Sequence, residues 1–381
     1  MKITVHPTLA LLLLLTLVLP LGGCASLGKY DGNQVTPESA VISNPPIFED
    51  TGGTEHAGQF ALMALFAKAA YRNDIADPKV RAEHACDYLV HPEHRDVLLD
   101  MPRDANGGGW ARWTQTGACY SENGLFFETY VHSNEKGVID EAVIGIRGTE
   151  NTTLYEARHD WGANLSGALP FAGAEYERAA RHIMPVIDQL AQTQGANGTP
   201  IKKIFLSGHS LGGGIAQYIA YRSPKVTAAF TFNPSPVTQW YQMSDEEKKR
   251  DPTIYRIYMN KEVLSYVREV TSRFNIRRYH RTDYQFFFVD GGAIDTHDMS
   301  HLACQFAARV PQCGAEHNYS YASATATLNS PTLCPNEVRK HIPARLLDRA
   351  AAQLTPPCKQ NAATSKITNA ISYSGCRHEN N

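Results

Sequence analysis

Apolar positions along this chain follow two spacings in alternation. Residues 57–71, AGQFALMALFAKAAY, are dense in alanine, leucine, methionine and phenylalanine, and predict a buried helix. From Leu125 the pattern shortens. LFFETYVH and EAVIGIRG are runs of β-branched and aromatic residues separated by SNEKGVID, and they predict neighbouring strands. Residues 173–194 place Tyr176, Ala179, Ala180, Ile183, Val186, Ile187 and Leu190 on one helical face, with Pro185 as a candidate kink. A strand at 201–207, a helix from Leu211, strands at 226–232, 254–259 and 285–289, and a helix near 299–310 complete the series. Strands alternating with helices predict an α/β sandwich whose central sheet is mainly parallel and flanked by helices.

Outside that series the chain changes character. Residues 1–23 begin with Lys2 and continue through the leucine-rich run 9–19, which is short for a membrane span and reads as an export signal. The ending Leu21-Gly22-Gly23-Cys24 resembles the lipobox of bacterial lipoproteins. That resemblance implies acylation of Cys24, a mature chain starting there, and attachment to a membrane. Ala25 in the following position resembles lipoproteins sorted to an outer membrane. Residues 24–54, rich in Pro, Gly, Ser and Asn, read as a tether, and 314–381 as a cysteine-containing extension, either a cystine-tied cap or a loose tail.

Net charge is −2, so there is no basic excess to attract nucleic acid. Setting Cys24 aside, Cys86, Cys119, Cys304, Cys313, Cys334, Cys358 and Cys376 are disulfide candidates in an exported protein. Their odd number leaves at least one free or paired between chains, and their spacing gives no connectivity. None has the C-x-x-C or Cys/His spacing of a zinc site, and no metal or cofactor is expected.

The chemistry concentrates at Lys203–Ala220, KIFLSGHSLGGGIAQYIA, where an apolar strand runs into a helix through Gly208-His209-Ser210-Leu211-Gly212. The spacing G-x-S-x-G suits an abrupt strand-to-helix turn. Glycines two positions either side of the serine admit close backbone, and the serine hydroxyl is lifted above the sheet edge. The plain alternative is a tight turn whose serine only caps the helix.

Gly208–Gly213, GHSLGG, resembles the nucleophile elbow of class 3 lipases, a branch of the α/β-hydrolases. Upstream, Ile146-Arg147-Gly148-Thr149 followed by Asp160-Trp161-Gly162-Ala163-Asn164-Leu165 resembles a second element of that family, in the right order. The resemblance covers roughly residues 55–310, within a domain set at 55–313. It implies an α/β-hydrolase fold and ester hydrolysis by Ser210. Thr149 and the N–H of Leu211 would bind the oxyanion, and an acid and a histidine would follow in chain order. Glu262 stands nearest the position where the family usually has Asp, with Asp290 and Asp295 as alternatives. His297 fits the base better than His301 or His280, and His209 fits packing.

The reading that follows is a lipid-anchored serine esterase acting on acyl esters of phospholipids or acylglycerols. An esterase for small or cell-wall acyl groups, or a non-catalytic envelope lipoprotein, remains open. The expected partners are a lipid substrate and the membrane that holds Cys24.

Overall fold

The computed structural model describes residues 42–43, 57–90, 101–104, 107–148, 161–193, 195, 198, 200–201, 203–235, 243–259, 262–264, 281–286, 288, 292, 295–310, 315–316 and 319–351. Cys24, Thr149, His280, Asp290, Cys313, Cys358 and Cys376, with the export signal and most of the tether, lie outside the described residues.

The elements follow in chain order. First come β1 (Ile42–Ser43), α1 (Ala57–Ala69), α2 (Pro78–Glu83), α3 (Ala85–Val90), β2 (Gly109–Arg112), β3 (Cys119–Glu122), β4 (Leu125–Ser133) and β5 (Ile139–Ile146). Then come α4 (Trp161–Gln192), β6 (Lys203–His209), α5 (Leu211–Arg222), β7 (Ala228–Phe232), α6 (Asp245–Lys249), β8 (Ile254–Met259) and β9 (Arg281–Phe286). A 3-10 turn (Asp295–His297) leads into α7 (Met299–Arg309), β10 (Ala315–Glu316), β11 (Tyr319–Ser320), α8 (Tyr321–Asn329), α9 (Asn336–Arg339) and α10 (Ala344–Ala351).

The main sheet has the order β1-β9-β8-β7-β6-β5-β4-β2, with β3 also on β4. From β5 to β1 every neighbouring pair is parallel. β2, β3 and β5 each pair antiparallel with β4. This mixed, mostly parallel sheet between helices is the α/β-hydrolase-like arrangement expected from the sequence.

Side-chain alternation explains why the parallel strands read as unbroken apolar runs: both faces are covered. On β6, Phe205 packs with α1, whereas Ile204 and Leu206 pack with α4 and α5. On β7, Phe230 and Phe232 face the α1 side and Ala229 the other. α1 is buried along its length from Gly58 to Ala69, which accounts for its lack of a polar stripe. It is fixed to the sheet by the Ser207 hydroxyl, which donates to the Met63 carbonyl at 2.6 Å. Phe60 organises this face: its ring lies 6.2 Å from Phe230, 6.0 Å from Tyr255, 5.0 Å from Tyr284 and 5.7 Å from Phe306.

Ile42–Ser43, inside the stretch read as a tether, forms β1 on the edge of the sheet beside β9, and two other boundaries move by four residues or more. The helix expected at 173–194 begins at Trp161, because Pro170 and the glycines 162, 167 and 173 conceal helical periodicity without stopping the helix. It also runs through Pro185. The strand expected at 285–289 is the ladder Arg281–Phe286, in register with β8. Phe286 is the buried last residue of that strand, and the ladder reaches back through the polar residues Arg281, Thr282 and Asp283.

Beyond α7 the described chain is a cap. α8, α9 and α10 pack on α7, and a buried Cys304–Cys334 disulfide ties them to it. A second disulfide, Cys86–Cys119, joins α3 to β3. No helix among the described residues is long and apolar enough to cross a membrane.

Phe60→Ala removes a ring shared by three strands and α7. It is expected to destabilise the protein by about 3–5 kcal/mol in urea unfolding. A change below about 1 kcal/mol would mean that this face of the sheet repacks freely.

Candidate active site

The site forms where the parallel strands end. β6 leads through His209 to Ser210, and α5 starts at Leu211. Ser210 has φ 55° and ψ −121°, a strained conformation for a residue with a side chain, costing about 1–3 kcal/mol. Three backbone hydrogen bonds hold it there. Its N–H donates to Phe232 O at 2.9 Å, and its carbonyl accepts from Gly214 N at 3.1 Å and Ser235 N at 2.9 Å.

The flanking glycines are required by backbone proximity. A Cβ at Gly208 would overlap the Gly212 carbonyl, and one at Gly212 would overlap the carbonyls of Ile146 and Arg147. The end of β5 therefore lies directly against the turn. Gly148 is equally close: a Cβ there would stand 2.9 Å from Ser210 Cβ. Arg147 is buried and anchors this strand end, donating to Arg81 O at 2.9 Å and Ala82 O at 3.3 Å in the last turn of α2.

The structure brings Ser210, His297 and Glu262 into one chain of hydrogen bonds. His297 Nδ1 lies 2.6 Å from Glu262 Oε2, and Nε2 lies 3.0 Å from Ser210 Oγ. A carboxylate only accepts, so the ring proton sits on Nδ1 and Nε2 offers its lone pair to the serine hydroxyl. Glu262 Oε2 also accepts the Leu264 N–H at 3.0 Å. All three side chains are buried.

The other candidates fall elsewhere. Asp295 is exposed and sits in the 3-10 turn, while His297 Nδ1 is engaged by Glu262. His301 is buried on α7 with its ring 5.5 Å from His341, and no hydrogen bond links it to Ser210. Burial lowers its pKa, partly offset by Asp298. Leu211 opens α5, where backbone N–H groups have no carbonyl one turn earlier to receive them. Thr149 is outside the described residues. Among the described residues, no group of three or more His, Cys, Asp or Glu side chains could hold a metal ion.

Two residues gain meaning only from the structure. His209 is buried, with Nε2 2.7 Å from the His297 carbonyl and Nδ1 2.5 Å from Tyr71 Oη. Burial, followed by the nearby His297, pushes its pKa well below the ordinary histidine value. Asn233, at φ 42° after β7, donates through Nδ2 to Thr296 O at 3.3 Å and His297 O at 3.2 Å. Its Oδ1 accepts from Met259 N at 2.8 Å. In the sequence it is marked only by standing before a proline at a strand end. Below this layer, Asp298 caps α7 by accepting from Ser300 N at 2.8 Å. Burial raises the Asp298 carboxyl, but the Lys68 charge and the Ser300 bonds leave it net below its usual range.

Residues 63–318 match the Tle-like phospholipase domain. The chain belongs to that family. Membership sets lipid-ester hydrolysis as its activity class. No curated protein matches the chain.

Gly212→Ala is expected to lower ester turnover by at least about 100-fold, because the displaced turn shifts the serine by a large part of an ångström. Wild-type turnover would contradict the close approach of β5. His209 also makes stability depend on pH. Its folded pKa is depressed, so below about pH 6.5 the unfolded chain takes up a proton that the native state refuses. Native stability should fall by up to about 1.4 kcal/mol per pH unit from this group as pH drops. His209→Gln should melt with a smaller decline between about pH 6.5 and 5 than the wild type; equal declines would contradict it.

Proposed function

We propose that this family member is a membrane-tethered serine carboxylic-ester hydrolase that cleaves phospholipids or acylglycerols through an acyl-enzyme. The observation that carries the reading is the Ser210–His297–Glu262 chain, 3.0 Å and 2.6 Å, at a serine held at positive φ.

In this mechanism Ser210 Oγ forms a bond to the acyl carbon while His297 Nε2 takes the hydroxyl proton. Glu262 stabilises the imidazolium through Nδ1–H. The carbonyl oxygen becomes an oxyanion held by the Leu211 N–H and by Thr149. One such donor is worth about 3–4 kcal/mol in the transition state. Collapse breaks the ester bond, and His297 returns the proton to the departing alcohol oxygen. A water molecule then repeats the sequence on the acyl-enzyme, releasing the fatty acid and restoring Ser210.

Several features support a lipid substrate met at a membrane surface. The family is a phospholipase family, and the Leu21–Cys24 ending resembles a lipidation signal. Acylation at Cys24 would add roughly 0.8 kcal/mol of membrane affinity per buried methylene. The stretch from Cys24 to β1 would give the domain reach across the bilayer surface, with an outer membrane as the proposed location.

The test is fatty-acid release from phospholipid vesicles, acylglycerols and short soluble esters by the purified protein. Ser210→Ala and His297→Ala should each lower kcat by about a million-fold, and Glu262→Ala by about ten-thousand-fold, as in other serine triads. Retained turnover in Ser210→Ala would remove the serine mechanism. Hydrolysis confined to short esters would replace lipid with small acyl groups as the substrate class.

A further inference from the structure

We propose that His209 and Asn233 form a two-donor clamp on the backbone carbonyl of His297 and are positioning residues for the catalytic base. The proposal rests on the serine mechanism above and concerns how that mechanism is held in register.

The geometry is specific in direction. A carbonyl only accepts, so His209 Nε2 must carry a hydrogen to make its 2.7 Å bond to His297 O. That leaves Nδ1 as an acceptor, and the Tyr71 hydroxyl donates to it at 2.5 Å. The His297 carbonyl thus fixes the tautomer of His209, and Tyr71 holds its ring orientation. Turning the ring over would lose both bonds. The second donor, Asn233 Nδ2, reaches the same carbonyl at 3.2 Å and the preceding one, Thr296 O, at 3.3 Å.

Asn233 also refers the base to the rest of the triad. Its Oδ1 accepts from Met259 N, the last residue of β8, three positions before Glu262. Its own N–H donates to Ile257 O at 2.7 Å. The residue before it, Phe232, accepts the Ser210 N–H. One asparagine thus contacts the segments bearing the base and the acid and adjoins the one that holds the serine.

The arrangement answers a mechanical problem. His297 belongs to a 3-10 turn of three residues, Asp295–His297, which has little regular structure of its own. Its Nε2 must stay within hydrogen-bond reach of Ser210 while it gains and loses a proton. A donor that could itself become charged would repel the imidazolium. His209 avoids this, since burial keeps it neutral where His297 works. A displacement of about 1 Å at the base would cost on the order of 100-fold in rate.

A purely structural role predicts lost stability with catalysis intact in the folded fraction. The clamp predicts lost kcat with KM retained. The experiment compares the full-length wild type with His209→Phe, His209→Gln, Asn233→Asp and Ser210→Ala. It reads kcat and KM on a short soluble ester, the rate of fluorophosphonate labelling, and the melting temperature. Glutamine keeps an N–H near the position of Nε2, whereas phenylalanine keeps only the ring. Aspartate keeps the acceptor for Met259 N and loses the donor to the carbonyls.

His209→Phe and Asn233→Asp are each expected to lower kcat and labelling by about 10- to 100-fold with KM within about twofold. His209→Gln is expected to recover most of the loss. Wild-type kcat in folded His209→Phe or Asn233→Asp would overturn the clamp, as would a change confined to KM, or His209→Gln as slow as His209→Phe. Should His209→Phe not fold, Asn233→Asp decides: a wild-type kcat overturns the proposal. Ser210→Ala separates the two readings. If that variant still turns over ester, the serine mechanism itself fails; if it is inactive while the clamp variants match wild type, only the clamp fails.

Discussion

A backbone angle decides the geometry of this protein. At Ser210 the chain leaves β6 with φ 55° and immediately starts α5. No residue with a side chain holds that angle without help, and the help comes from β7 and from α5 itself. Phe232 O accepts the serine N–H, while Ser235 and Gly214 donate to its carbonyl. Around the same turn, Gly208 and Gly212 let β5, β6 and the first turn of α5 approach within backbone contact. The sheet is thus the means by which one hydroxyl is presented at 3.0 Å from an imidazole.

Burial then sets the electrostatic terms. Glu262 is 2% exposed, and an unpaired carboxylate in such a place would be costly. Its Oε2 receives two donors, His297 Nδ1–H and Leu264 N–H. The Leu264 N–H, from the residue two positions on, helps hold the carboxylate oxygen that engages His297. A low-dielectric site strengthens each of these bonds and raises the cost of any second positive charge near His297. The neutral, buried His209 is consistent with that demand.

Much of the fold was legible because its signals are local. α1 showed as a dense apolar run, β5 to β8 as β-branched and aromatic runs, and the elbow as glycines at fixed distance from a serine. The failures were also physical. Pro170 and three glycines hid the first turns of α4, since periodicity is read from apolar side chains and the helix is made by backbone. β9 was placed four residues late because its ladder lies on Arg281, Thr282 and Asp283, whose polarity reads as a loop. Disulfide partners such as Cys304 and Cys334 meet only once α7 and the cap are packed. Asn233 was invisible for the same reason. It has no motif, and its partners Met259, Thr296 and His297 come from later strands and turns.

The most direct test of the account is to react the purified protein with a fluorophosphonate and map the adduct by peptide mass spectrometry. The account predicts a single phosphonylated residue, Ser210, formed at a rate that drops sharply when His297 is replaced by alanine. An adduct on another residue, or none on Ser210 in folded protein, would contradict it.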